Sequence, residues 1–150
     1  MTKADDLNHK LSRLLNGEGL GVLSTCGQQQ PYASLVAFAA TDDFSHIVFA
    51  TPRPTRKFAN LATNAQVALL VDNRSRRASD FRLAMAATAV GTVKEVRKAK
   101  NSRLIRLYLQ KHPQLEGFLW SPTCAVLDIS VERYSIVERF QHVTELHLKR

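Results

Sequence analysis

Acidic residues are scarce in this 150-residue chain: 13 Asp and Glu stand against 21 Lys and Arg, a formal charge of +8. Such a surface attracts anions, whether nucleic acid, anionic lipid or phosphorylated small molecules, and charge alone does not choose among them. Cysteine is almost absent too. Cys26 and Cys124 cannot make a disulfide framework, and neither stands in a CxxC or Cys/His spacing that would hold zinc. Both lie in apolar runs, where reduced, buried thiols are expected. No apolar run approaches the ~20 residues a membrane helix needs. The opening Met1-Thr2-Lys3-Ala4-Asp5-Asp6 is polar and acidic, unlike a secretory or transit segment, so a cytoplasmic protein without a membrane partner is expected. Also missing are a GxGxxG fingerprint, a P-loop, a serine nucleophile elbow, an HExxH pair and a carboxylate pair. Their absence argues against a Rossmann domain and against kinase or hydrolase chemistry.

What remains fits one domain spanning 1–150, since this length gives no reason to divide it. Residues 5–16 have the spacing of a short amphipathic helix, with Leu7, Leu11, Leu14 and Leu15 on one face. The pattern then turns to strands at 20–26, 31–41 and 46–51, with turns at 27–30 and 42–45. A short helix is expected at 55–64, capped by Thr55, with Phe58, Leu61 and Ala62 facing inward. Strands follow at 66–72 and 81–96, joined by a basic loop at 73–80, and Gly91 marks a bulge in the longer one. A helix at 98–112, ended by His112-Pro113, leads to a last strand pair at 123–131 and 133–140. Sequential strands with tight turns favour antiparallel pairing, and closure into a barrel removes exposed edges. The fold class expected is mainly β with peripheral helices.

The chemically informative stretch is Phe49-Ala50-Thr51-Pro52-Arg53-Pro54-Thr55-Arg56-Lys57-Phe58. A strand ends on a hydroxyl residue, a short loop follows, and a helix opens on hydroxyl, Arg, Lys. Free N–H groups and the macrodipole already favour an anion at a helix N-terminus. Cations there oppose the dipole unless an anion compensates, and a phosphate monoester suits Arg and Lys together. Solvated first-turn residues are the competing reading.

Gln30-Pro31-Tyr32 entering a strand, followed by Phe49-Ala50-Thr51-(x)3-Thr55-Arg56-Lys57-(x)3-Leu61-(x)2-Asn64-(x)2-Val67-Ala68-Leu69-Leu70, resembles the pyridoxamine 5'-phosphate oxidase-like flavin-binding family. The resemblance covers residues 20–97 well and 124–140 more loosely. It implies a six-stranded antiparallel split β-barrel that forms a homodimer and binds FMN at the subunit interface. It places the FMN phosphate on Thr51, Arg56 and Lys57, with Ala50 and Thr55 beside them. The second-strand segment Ser34, Leu35, Val36 and Ala37, continuing to Phe38, would run along the ring and ribityl chain. Asn73, and Arg74 after it, are further cofactor candidates, with a solvated turn as the alternative. The expected activity is that of an FMN-dependent oxidoreductase of unknown substrate, with no catalytic side chain evident. It is not that of a true pyridoxamine 5'-phosphate oxidase. Those carry basic residues on the second strand, where this chain has Ser34 and Ala39, and they end on an Arg-x-His motif that 140–145 lacks. Relatives also bind deazaflavin F420 or haem, so a non-catalytic flavin, F420 or haem carrier is the alternative. Nucleic acid is not expected as a partner: few aromatics interleave the basic residues at 98–112, and no helix-turn-helix pairing appears. The five histidines are scattered, and His142 or His147 would be the axial candidates were haem bound. Trp120 is expected in a core or dimer interface.

Overall fold

The structure, a computed structural model, describes residues 2–74, 82–139 and 142–148. Helix α1 (Lys3–Gly17) opens on a capping box: the Thr2 hydroxyl accepts from the Asp5 N–H, and the Asp5 carboxylate accepts from the Thr2 N–H. Its buried face is Leu11, Leu14 and Leu15. Three strands follow, β1 (Leu20–Gly27), β2 (Gln30–Ala40) and β3 (His46–Pro52), then α2 (Arg56–Thr63), β4 (Gln66–Asp72) and β5 (Met85–Val96). Helix α3 (Arg103–Lys111), a 3-10 turn (Pro113–Leu115) and α4 (Glu116–Trp120) lead to β6 (Cys124–Glu138) and β7 (His142–His147).

Neighbouring strands run β3-β2-β1-β4-β5-β6, all antiparallel, and a β3–β6 ladder closes six of them into a barrel. The seventh, β7, extends the sheet along the far half of β6. Closure is incomplete at one seam. Strand β2 meets β3 only from Phe38↔Phe49 to Ala40↔Ile47, whereas it pairs with β1 from Gln30 to Ala37. Along that stretch the other edge of β2 has no ladder partner among the described residues, and this is the split in the barrel. Inside, Leu23, Phe38, Phe49, Leu69, Ile129 and Tyr134 are fully buried. Each such side chain contributes roughly 1.5–3 kcal/mol by leaving water. Helix α1 covers the barrel end where β1 begins and β4 finishes, and α2 covers the opposite end. Outside, α3 and α4 lay Ile105, Tyr108 and Leu119 over Ala39, Val48, Ala50, Cys124 and Val126, a second apolar cluster.

Several details depart from the sequence pattern. The two final strands expected at 123–131 and 133–140 are one 15-residue strand, β6. No Gly or Pro interrupts it; the irregularity is absorbed as a bulge, the register shifting between Val90↔Arg133 and Gly91↔Val131. A Cβ on Gly91 would lie 2.1 Å from the Ser130 carbonyl oxygen, so the bulge closes only on glycine, as its position suggested. Strand β7 lies in what the apolar pattern gave as tail. Helix α3 begins at Arg103, not near 98, because the Ser102 hydroxyl caps the Ile105 N–H. Lys98 instead donates to the Ser121 carbonyl at 2.7 Å. Strand β5 starts at Met85; Phe81 and Phe140, expected at strand ends, lie outside the described residues, as does most of the loop at 73–80. On α2, Leu61 is buried and Phe58 half-buried, but Ala62 faces solvent.

Candidate functional site

The α2 end of the barrel is assembled by local rules. Thr55 has an extended backbone, and its hydroxyl accepts from the Phe58 N–H at 3.1 Å while donating to the Pro52 carbonyl at 2.9 Å. That double contact caps the helix and fixes it to the end of β3. The helix is then docked on β1: Asn60 Nδ2 donates to Thr25 Oγ1 at 3.0 Å, and a Cβ on Gly27 would lie 2.2 Å from Asn60 Oδ1. Gly27 is thus required for space, while the neighbouring turn takes its left-handed backbone at Gln28 and Gln29 (φ 52° and 64°).

So held, α2 turns Lys57 back over the barrel mouth, where its Nζ donates to Thr51 Oγ1 at 3.3 Å. Thr51 is fully buried. Burial holds the Lys57 ammonium below the ordinary lysine value, and among the described residues its only hydrogen-bond partner is that neutral hydroxyl. Arg53, two residues past Thr51, is the reverse case: it grips Glu95 with two hydrogen bonds, 3.1 and 2.7 Å, and lies over the Phe58 ring. Arg56 is exposed and makes no hydrogen bond or ion pair among the described residues. The helix N-terminus therefore presents one half-buried and one exposed cation with no counter-anion among the described residues, where the helix field already favours negative charge.

The split adjoins this clamp. Continued by two residues, the β2–β3 register would set Val36 opposite Thr51, but the ladder has already ended. Thr51 therefore stands at the mouth of the gap beside the unpaired edge of β2. Ser34, on that segment, has a buried hydroxyl oxygen with no hydrogen-bond partner among the described residues. The remaining second-strand candidates divide by strand alternation. Val36 and Phe38 are core side chains and offer only backbone to the gap, while Leu35 is 65% exposed and Ala37 is half-buried beside the second cluster. Ala50 packs beneath α3 and α4.

Thr51, Thr55, Arg56 and Lys57 are thus brought together, with the β2 segment next to them. Asn73 is not. It lies at the opposite barrel end, its amide donating to the Leu83 carbonyl at 2.8 Å and accepting from the Met85 N–H at 2.9 Å. It braces the start of β5. The sequence pattern did not announce the split itself, which has no local signal, nor the setting of Lys111. That amine donates to the Leu15 carbonyl at the end of α1 and lies 4.0 Å from the centre of the Phe38 ring, and burial lowers it to about 8. Beside it, His112 Nε2 and the Phe38 carbonyl are 2.8 Å apart. Both tie α3 to β2 and α1. Of the other histidines considered, His147 pairs with Glu145 on exposed β7.

Residues 7–138 match the pyridoxamine 5'-phosphate oxidase family. The chain belongs to that family. No curated protein matches it in sequence. Solved structures similar to this family member include a haem-binding protein of Mycobacterium smegmatis, 14% identical with a TM-score of 0.79, covering 93% of this chain and 57% of that one. General Stress Protein 26 of Bacillus anthracis is 17% identical with a TM-score of 0.69, covering 95% and 98%. A FAD-binding protein of Mesorhizobium loti is 20% identical with a TM-score of 0.65, covering 85% and 90%. At these identities the likeness is one of fold, the split barrel. Among the described residues, no helix is long and apolar enough to cross a membrane.

Proposed function

We propose that this protein binds FMN in the split beside α2, as a homodimer, and serves as a flavin-dependent oxidoreductase. The observation that carries the reading is Lys57: a half-buried ammonium at a helix N-terminus, hydrogen-bonded among the described residues only to a neutral hydroxyl. Burying an uncompensated charge is costly, and a phosphate monoester would remove that cost. Thr51, Arg56 and Lys57 would hold the phosphate. The open edge of β2 offers backbone hydrogen bonds to a polar, planar ring system. These features fit a flavin mononucleotide, and family membership together with a FAD-binding neighbour of the same fold supports a flavin.

When bound, the flavin would supply electron or hydride transfer; the chain supplies placement. Thr55 and Asn60 fix the helix, Lys57 and Arg56 neutralise the phosphate, and β2 presents backbone N–H and C=O groups along the gap. The absence of a cation at Ser34 and Ala39 separates this site from one built for pyridoxamine 5'-phosphate.

The homodimer is supported by the outer barrel face that α3 and α4 leave bare. Val22 of β1 stands between Leu35 of β2 and Leu70 of β4, so apolar side chains align across three strands. Leu20 and Leu35 are each more than half exposed. A contiguous apolar surface of this kind marks an association face. A second copy seated there would also wall the split next to Leu35.

The test is the visible spectrum of purified protein titrated with FMN, alongside Arg56→Ala and Lys57→Ala. Saturation at one FMN per chain, with weaker binding in both variants, is expected. An FMN dissociation constant unchanged in both would sink the phosphate assignment. An intense Soret band gained with haem, and no flavin binding, would move the protein to haem handling.

A further inference from the structure

The α1 end of the barrel holds a cavity of ≈ 340 Å³ that the flavin reading does not use. Its walls come from α1 with Lys10 and Arg13, Asn73 just past β4, Arg82 ahead of β5, and the end of β6 with Glu138 and Arg139 after it. Lys10 is already neutralised, its Nζ 2.8 Å from Glu138 and 3.2 Å from Asp6. Arg13 and Arg139 are different. Neither side chain makes a hydrogen bond or ion pair among the described residues, yet both line one basin.

The backbone at Arg139 is unusual. It takes a left-handed φ of 53° with its N–H bound to the Ala84 carbonyl at 3.0 Å. Arginine gains nothing from that conformation, which glycine or asparagine would take more readily. A strained residue at a cavity wall is a reason to look for a ligand. The lining carries Lys10, Arg13, Arg82 and Arg139 against Glu18 and Glu138, an excess of positive charge. Among the described residues its lining has no aromatic ring and its polar groups are mainly guanidinium and ammonium, which suit a phosphate. Its volume is at the small end of ligand pockets. We infer that this basin is a second anion site, taking a small phosphorylated molecule through Arg13 and Arg139, at the opposite end of the barrel from the α2 clamp.

The experiment is calorimetric titration of the full chain, saturated with FMN, using inorganic pyrophosphate in magnesium-free buffer. One pyrophosphate per chain is expected. Arg13→Gln combined with Arg139→Gly should weaken it about 100-fold, roughly tenfold for each charge-assisted contact, and leave FMN affinity unchanged. Both substitutions are conservative for folding, since Arg13 is exposed and glycine suits the left-handed backbone. The same titration on flavin-free Lys57→Ala protein should also show binding, which keeps this inference separate from the fate of the flavin reading. Failure of wild-type protein to bind millimolar pyrophosphate would overturn it, as would affinity unchanged in the double variant. Binding of a single-stranded oligonucleotide that depends on both arginines, with none of pyrophosphate, would replace it with a nucleic-acid face.

Discussion

Each end of the barrel presents a lysine, and the two live in opposite circumstances. Lys10, at the α1 end, sits between two carboxylates, Glu138 and Asp6, and its hydrogen bond to Glu138 is the main reason its ammonium is held above the ordinary value. Lys57, at the α2 end, is half-buried with a hydroxyl for a partner, and burial pushes its ammonium down. The first charge has been neutralised by the fold and joins α1 to the end of β6. The second charge works against folding until something anionic arrives. A cation that the chain leaves uncompensated in a half-buried place, at a helix N-terminus, is therefore a better guide to a ligand than the overall charge of +8.

The sharpest way to break this contrast is to unseat α2 without touching a charge. Gly27→Ala drives a Cβ against Asn60 Oδ1 and should cost the Asn60–Thr25 hydrogen bond with it. A loss of about 2–3 kcal/mol in urea unfolding is expected, in the range for overpacking combined with a lost buried hydrogen bond. FMN binding should fall with it, because Lys57 depends on the pose of the helix. Next in size is Lys57→Met. Removing one charge-assisted contact costs about 1.5–3 kcal/mol of binding, or roughly 10- to 150-fold in the FMN dissociation constant. The same substitution should leave flavin-free protein as stable or more so, since it removes a buried charge. A variant that binds FMN like the wild type would place the phosphate elsewhere.

How much of this was legible in the sequence follows from the range of the interactions involved. The Thr55 cap, the Arg56-Lys57 opening of α2 and the Gly91 bulge are read from neighbours within a few residues, and the structure has each of them. The strand pattern already favoured an antiparallel barrel, and the resemblance supplied its six strands and its split. What escaped was set by distant contacts. Nothing near Glu132 says that β6 runs on through a bulge, because the accommodating glycine is on β5. Nothing near Arg53 says that Glu95 will claim it, leaving Arg56 and Lys57 without a counter-ion among the described residues. Asn73 followed the strand as expected, but its amide serves the start of β5. The side chains of Val36 and Phe38, on the segment expected to run along a ring, are drawn inward by the alternation of β2, which leaves its backbone for the gap.

A smaller effect is readable from pH. Because burial lowers Lys57 in the folded chain, the unfolded chain binds more protons between that lowered value and the ordinary one near 10.5. Stability of flavin-free wild type should therefore rise with pH through that window relative to Lys57→Met, since stability increases wherever the unfolded state holds the extra proton. With FMN bound, the phosphate favours the charged amine and the relative slope should flatten or reverse. Urea midpoints of both proteins at several pH values, with and without FMN, would show this. Parallel curves in all conditions would mean that Lys57 has solvent enough to behave as a surface lysine.

The smallest change is expected at the other end. Lys10→Met removes an ion pair whose lysine side chain is 42% exposed, and exposed pairs are worth about 0–1 kcal/mol after screening. Its stability loss should lie in that range, shrink further in 1 M salt, and leave FMN affinity unchanged. Because Glu138 then loses its partner at the cavity wall, pyrophosphate binding should weaken more than FMN binding in this variant. Equal weakening of both ligands would show that the two ends act as one electrostatic surface, and the distinction between a neutralised and an uncompensated lysine would lose its meaning.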